Sequence, residues 1–595
     1  MPRRFSLKTR LLSLLLSAAM VLMFLPASAF AADKQVLVGD TWLGSANRSV
    51  TCGDGTAEYD PDTQTLTLTK ATINSGHAAA ICNMTYGLTI KLVGENSINS
   101  DNQPGILSVQ SCGLLTLTGE GSLNITAANG HAIYVNTGSL LVKDTTVKVS
   151  SDALAVYADL GIEISNSTFE SASTDGNAIW TPRDLTIENS NVTTNSAGNF
   201  PAIWCDGDIT INGGQLKSTC IGSDALGAAG TLSITNCNVE NKGGYTALYS
   251  GGEMTLTGGS ITAEAERNAI MSKSAMTITN ATVKATAQKY NALRASDVMK
   301  IDKGRVEATT FGEETYAIHM EPMDDGNNGR MEIGGGVELY VNGYNGISVG
   351  EGATIEDARI VIDSEACSID MPVKFADGYD IARALGGDSK ENAKPFDWYS
   401  MSLEPYTPNQ PGTFPYLELL SGAKHTLRVT NGTISEMNGK QYTGNEAEIP
   451  AGSPVTLTLT VNEDAFTAGD VFSSWTLSPT PRDLRIDGNV ITFTMPAEDV
   501  EISATSDIPP EPTPDAEGSP LLGLALVAVG GTLVGLTLYA AHEFGITQTL
   551  RETLPAGAAI PANRGELALL LWNAADKPEP EKQPAFTDVS DLETA

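Results

Sequence analysis

The chain has 595 residues and a formal net charge of −35, from 71 acidic and 36 basic residues. That balance excludes nucleic acid and anionic membrane surfaces as electrostatic partners and describes a well-solvated acidic surface. The length exceeds what one hydrophobic core serves, so several domains are expected.

Residues 1–32 carry Arg3, Arg4, Lys8 and Arg10, then an apolar run from Leu11 to Leu25, then Ala27-Ser28-Ala29-Phe30-Ala31-Ala32. A basic start, a short apolar stretch and a small-residue end are the parts of a secretory signal peptide, so the protein is expected to be exported. Residues 33–75 read as short strands and tight turns, among them Val36-Leu37-Val38-Gly39-Asp40, Gly53-Asp54-Gly55 and the turn-and-strand Tyr59–Leu68. A solenoid must cover its open first coil, and this segment stands where an N-terminal cap belongs.

From residue 76 to 362 one pattern repeats. A small residue followed by an aliphatic one recurs at Ala80-Ile81, Gly105-Ile106, Ala132-Ile133, Ala155-Val156, Ala178-Ile179, Ala202-Ile203, Ala225-Leu226, Ala247-Leu248, Ala269-Ile270, Ala292-Leu293, Ala317-Ile318 and Gly346-Ile347, roughly every 24 residues. Each unit adds a second alternating run, such as Leu185-Thr186-Ile187 or Ile209-Thr210-Ile211, and a third after a turn, such as Thr146-Val147-Lys148-Val149. Period-2 patterning with one buried face, and no helical spacing, gives an all-β right-handed parallel β-helix of about 12 coils. Asn166, Asn189, Asn236 and Asn280 each precede an apolar residue by three positions, and Asn accepts the left-handed geometry of a tight corner. Gly213-Gly214, Gly258-Gly259 and Gly334-Gly335-Gly336 take the same place on other coils.

Tyr59–Leu68, followed by Leu88-Thr89-Ile90-Lys91-Leu92-Val93-Gly94-Glu95-Asn96, resembles the opening of β-helical surface proteins of gut Firmicutes labelled carbohydrate-binding domain-containing. The resemblance spans roughly residues 33–360. It implies glycan binding, with polysaccharides or host and bacterial surface glycans as partners.

Two positions after the small landmark stand Tyr134, Tyr157, Trp180 and Trp204 on consecutive coils, then Gly227, then Tyr249. With the aliphatic neighbours inward, alternation sends these five rings outward in one column about 4.8 Å apart. Such a column is a platform for sugar faces or an aromatic ladder that steadies its own coils. The column then becomes Met271, Arg294 and His319. A catalytic alternative, a polysaccharide-active β-helical lyase or hydrolase, needs carboxylates facing one bond from neighbouring coils. Asp206 and Asp208 flank Gly207 in a turn, Asp324-Asp325 lies in a Gly/Asn-rich insertion, and His77, His131 and His319 fall in separate coils without a motif. No catalytic residue, cofactor or metal site is therefore assigned. The seven cysteines have neither metal-ligand nor disulfide-scaffold spacing and read as small buried hydrophobes.

The period is lost after about Ile362, and residues 363–421 read as a C-terminal cap and connector. Strand patterning returns over 422–507, a small all-β domain. Its closing phrase Phe493-Thr494-Met495-Pro496-Ala497-Glu498-Asp499-Val500, with Trp475 upstream, resembles the bacterial-repeat modules of Gram-positive surface proteins, which implies a stalk with Trp475 in its core. Residues 508–519 form a Pro-rich extended linker. Residues 520–541 are 22 uncharged residues, long enough for a membrane-spanning helix, with Gly531 and Gly535 spaced for close helix packing. Residues 542–595 form a short helical tail in which Ile560–Trp572 and Phe586-Thr587-Asp588-Val589 resemble parts of S-layer homology units, although Asn563-Arg564 replaces the usual Thr-Arg. That resemblance implies contact with the cell envelope through residues 520–595.

Overall fold

The computed structural model describes residues 35–76, 78–109, 113–320, 329–370, 372–398, 414–467 and 470–507. The signal-peptide, linker, hydrophobic-helix and tail readings, together with His77, Cys112 and Asp324-Asp325, lie outside the described residues. Two compact units emerge, one of residues up to 424 with 450–452, the other of 425–449 with 453 onward.

The first unit is an all-β solenoid of about thirteen turns. Three parallel sheets run its length, because each coil repeats the same inward positions and stacks them on the coil before. In the first sheet Ile106 lies in register with Ile133, Ile133 with Val156, Val156 with Ile179, Ile179 with Ile203, Ile203 with Leu226 and Leu226 with Leu248. The second sheet stacks Leu185, Ile209, Leu232 and Met254 in the same way. In the third, Val147, Phe169, Val192 and Leu216 form one column. These side chains are at most 3% exposed, so the core is a set of axial aliphatic columns along the coil interior. The described cysteines Cys52, Cys82, Cys205, Cys220, Cys237 and Cys367 are buried.

Corners follow the residues that can turn them. Asn166, Asn189, Asn236 and Asn280 have φ between +47° and +52°, the left-handed geometry that Asn tolerates and β-branched residues avoid. Replacing Asn189 with Ala is expected to lower stability by about 1 kcal/mol, whereas Asn189→Gly is expected to be nearly neutral. Urea midpoints of the two variants check this, and equal losses would contradict the conformational explanation.

The period extends further than the expected end at Ile362. Ala358–Asp370 pairs in parallel with Val337–Ser348, placing Ile369 beside Ile347, and Val373–Phe375 pairs with Gly352–Ile355. This coil escapes the sequence pattern because its landmark reads Ser368-Ile369 and one continuous strand runs through the corner.

Antiparallel strands cover both ends. Val36–Val38 pairs with Ile81–Asn83 and with Thr41–Leu43, while Gly55–Asp60 pairs with Thr65–Thr69. Tyr59 turns inward there and donates to Gln35 Oε1 at 2.8 Å. At the other end residues 416–421 lie antiparallel on Ala358–Asp363, and Glu418 receives Arg359 at 3.2 Å and Arg383 at 2.9 Å. Pairing and charge together close edges that would otherwise be open to strand addition.

In the second unit an antiparallel sheet runs in the order Lys440–Gly444, Gly432–Met437, Pro454–Val461, Val490–Thr494 and Arg485–Asp487. Val500–Asp507 pairs with Val471–Ser478 and with residues 427–430. Trp475 is 2% exposed among Leu457, Ile491 and Phe493, and its indole donates to Asn489 Oδ1 at 3.2 Å. Helix is almost absent: among the described residues there are two three-residue 3-10 turns, Lys390–Asn392 and Glu463–Ala465.

Candidate functional site

The first sheet's outer face holds all five rings of the expected column. Tyr134 is in register with Tyr157, Tyr157 with Trp180 and Trp180 with Trp204, after which Gly227 precedes Tyr249. Alternation puts the rings on that face because Ile133, Val156, Ile179, Ile203 and Leu248 are buried.

The column is not uniform. His131 stacks on Tyr134 and Tyr134 on Tyr157, both at 4.9 Å between centroids with planes within 19°. Tyr157 meets Trp180 at 4.9 Å and 40°. Stacking along the axis covers ring faces, and Tyr157, between two neighbours, is buried rather than outward and free. Burial raises the pKa of Tyr134, Tyr157 and Tyr249, so all three phenols stay protonated near neutral pH. Tyr157 donates to Asp159 Oδ1 at 3.0 Å.

Trp180 and Trp204 are partners in register, yet among the described residues no ring contact joins them. Trp204 leans the other way, onto Tyr249 at 6.0 Å with planes 19° apart. Those residues are two coils apart, about 9.6 Å along the axis, so the rings have closed on each other by roughly 3–4 Å. Gly227 on the intervening coil makes this possible. A Cβ there would come within 2.6 Å of Trp204 Cζ3 and 3.6 Å of Tyr249 Cδ1. The other edge of Trp204 is tied to its own coil, its Nε1 donating to Asp206 Oδ1 at 2.8 Å. Tipping Trp204 over Gly227 opens a wedge toward Trp180: one rung of about 4.8 Å plus a closure of roughly 3–4 Å on the Trp204 side sets the two indoles about 8–9 Å apart. A flat ring between the indoles needs two van der Waals contacts of about 3.5–4 Å, roughly 7–8 Å in all, which that spacing admits.

A discontinuous set of polar side chains that the sequence reading missed stands beside the rings, one position before the small landmark on several coils. His131 Nδ1 donates to Leu154 O at 2.7 Å, Asn177 Nδ2 to Pro201 O at 2.7 Å and Asn291 Nδ2 to Tyr316 O at 2.6 Å. Asp224 accepts from the Thr246 amide at 2.9 Å. The signal was visible as Asn-Ala-Ile at 177–179 and 268–270 and Asn-Ala-Leu at 291–293. These groups bridge coil to coil, so their first role is to satisfy buried backbone.

Asp224 carries a consequence for pH. Burial pushes its carboxyl up to about 6, against partial relief from Thr246. A carboxyl whose folded pKa exceeds its unfolded one costs stability as it ionises: nothing below about pH 4, an increasing amount from 4 to 6, and the full cost above 6. Asp224→Asn keeps an acceptor for Thr246 and is expected to stabilise the fold at pH 7 by roughly 1–3 kcal/mol and to flatten the slope between pH 4 and 6. Melting curves at pH 4 and 7 check it; equal shifts at both would contradict the assignment.

Of the carboxylates considered for catalysis, Asp206 accepts the Trp204 indole and Asp208 accepts the Thr231 amide at 2.7 Å, while the Asp208 amide donates to Asp184 Oδ1 at 3.0 Å. A shallow groove of about 420 Å³ follows the Asn corner past Asp144, Asn166 and Asn189. Of its hydroxyls, Thr145 donates to Gly121 O at 3.0 Å and Ser167 to Ser165 O at 2.8 Å, and no aromatic ring lines it.

A family model described as carbohydrate-binding domain-containing protein matches the chain over residues 54–244 and 225–394, together more than half its length and nearly all of the solenoid. No curated protein and no solved structure matches it.

Proposed function

Because the chain belongs to the carbohydrate-binding domain-containing protein family, we propose that it binds glycans through the ring column of the first sheet, with the wedge between Trp180 and Trp204 as the principal contact. The observation that carries this reading is the divergence of two neighbouring indoles over Gly227. A ladder serving stability alone would gain from continuing the 4.9 Å stack, whereas the wedge leaves one face of each indole for a ligand. The apolar C–H face of a pyranose suits those faces, and Asp159 and Asp206 at the rim can accept hydroxyls. The same carboxylates disfavour an acidic sugar at this point, so the wedge takes an uncharged unit. Tyr157 backs Trp180 and Tyr249 backs Trp204, with Tyr134 stacked behind Tyr157.

In this reading the protein is a non-catalytic, adhesin-like surface protein. Residues 1–32 direct export, the second unit is a stalk of the bacterial-repeat kind, and residues 520–595 hold the chain at the cell envelope. Engagement of Asp206 and Asp208 in structural hydrogen bonds supports binding over catalysis.

The test is retention of the protein on bacterial, plant and mucin polysaccharides with Gly227→Ala alongside. A methyl group at that position pushes Trp204 back toward Trp180 and narrows the wedge, so affinity is expected to fall about tenfold with the melting temperature little changed. Retention on no glycan, or undiminished retention by Gly227→Ala, would count against the wedge as the binding site.

A further inference from the structure

A second group of exposed rings lies on the turns that lead into the first sheet. Tyr245 is 42% exposed and Tyr290 46%, with Ile221 at 69% and Phe311 at 63% on neighbouring coils. Between the two tyrosines, one coil from each, sits Arg267: its amide donates to Tyr245 O and its carbonyl accepts from the Tyr290 amide. The Arg267 guanidinium lies 3.7 Å from the Tyr245 ring centroid and 5.9 Å from that of Tyr290.

Arg267 has no carboxylate partner among the described residues, in a chain with nearly twice as many acids as bases. Its neighbours are engaged: Lys289 pairs with Glu266 at 2.7 Å and Lys242 with Glu264 at 3.7 Å. A guanidinium stacked on an aromatic face keeps its in-plane N–H fork free, and that fork matches a carboxylate in bidentate geometry. Exposed aromatic surface beside it offers apolar contact to the body of the same ligand.

We propose that Tyr245, Arg267 and Tyr290 form a second carbohydrate subsite that takes a carboxylate-bearing sugar, a uronic acid unit. The choice of a sugar over an acidic peptide rests on the glycan reading above. Tyr245 stands four residues before Tyr249 on the same coil, at most about 13 Å along an extended chain, and the Tyr249 coil lies about 9.6 Å from that of Trp204, so a glycan of several units can place a neutral unit in the wedge and an acidic one here.

Isothermal titration of the intact protein tests this with oligosaccharides of polygalacturonate, alginate and hyaluronan, a methyl-esterified oligogalacturonate, a polyglutamate peptide, and neutral glucan and mannan hexamers. At least one uronate oligosaccharide is expected to bind, to weaken with added salt, and to lose at least about tenfold in affinity in Arg267→Ala, with Arg267→Lys restoring only part. Any binding of the methyl ester is expected to be unaffected by Arg267→Ala. Trp180→Ala/Trp204→Ala is expected to leave uronate binding intact. Absence of uronate binding, or indifference to Arg267→Ala, overturns the subsite. Equally tight polyglutamate binding that depends on Arg267 overturns the sugar assignment in favour of a peptide-docking surface. Failure of the glycan reading shows separately, as neutral hexamers whose binding ignores both tryptophans.

Discussion

Phe169→Ala is expected to lower the unfolding free energy by about 3–5 kcal/mol, the usual cost of emptying a fully buried aromatic position. Phe169 is fully buried and lies between Val147 and Val192 in the third sheet's inward column. Each coil contacts only its neighbours, so a void here cannot be filled by a distant element and weakens two interfaces at once. Thr193 on the following coil is exposed, and Thr193→Ala is expected to change stability by no more than about 0.5 kcal/mol. Urea unfolding of both variants reads the difference. A loss below about 1 kcal/mol for Phe169→Ala would mean that the columns do not carry the stability.

The second large effect falls on binding. Trp180→Ala/Trp204→Ala removes both walls of the wedge and is expected to reduce glycan affinity by at least about a hundredfold, as for two central aromatic anchors. The fold is expected to survive, because both rings are only half-buried and their backbone pairing continues without them. Calorimetric titration with a retained glycan, accompanied by a melting curve, separates loss of binding from loss of structure. Equal affinity in the double variant would reduce the column to a stabilising ladder.

The solenoid could be read from the sequence because the same inward positions return on every coil. Leu185-Thr186-Ile187 already states which side chains are buried, and Asn166 to Asn280 state where the chain turns. What stayed hidden was of two kinds. At Ser368-Ile369 a different small residue and an unbroken strand removed the punctuation, so one coil was missed. Along the ring column, alternation fixes the face to which Trp204 points but not the direction in which its ring leans. That direction depends on the missing side chain of Gly227 and on the Asp206 carboxylate, two interactions with no periodic signature. Arg267 was hidden for a similar reason: it becomes conspicuous only once the partners of the surrounding lysines are known.

The most direct measurement of the central claim is a crystal structure of the protein with an oligosaccharide that it retains. The account predicts a pyranose ring held between the Trp180 and Trp204 indoles, with hydroxyls directed at Asp159 or Asp206. A sugar bound away from both indoles, with the wedge empty, would contradict it.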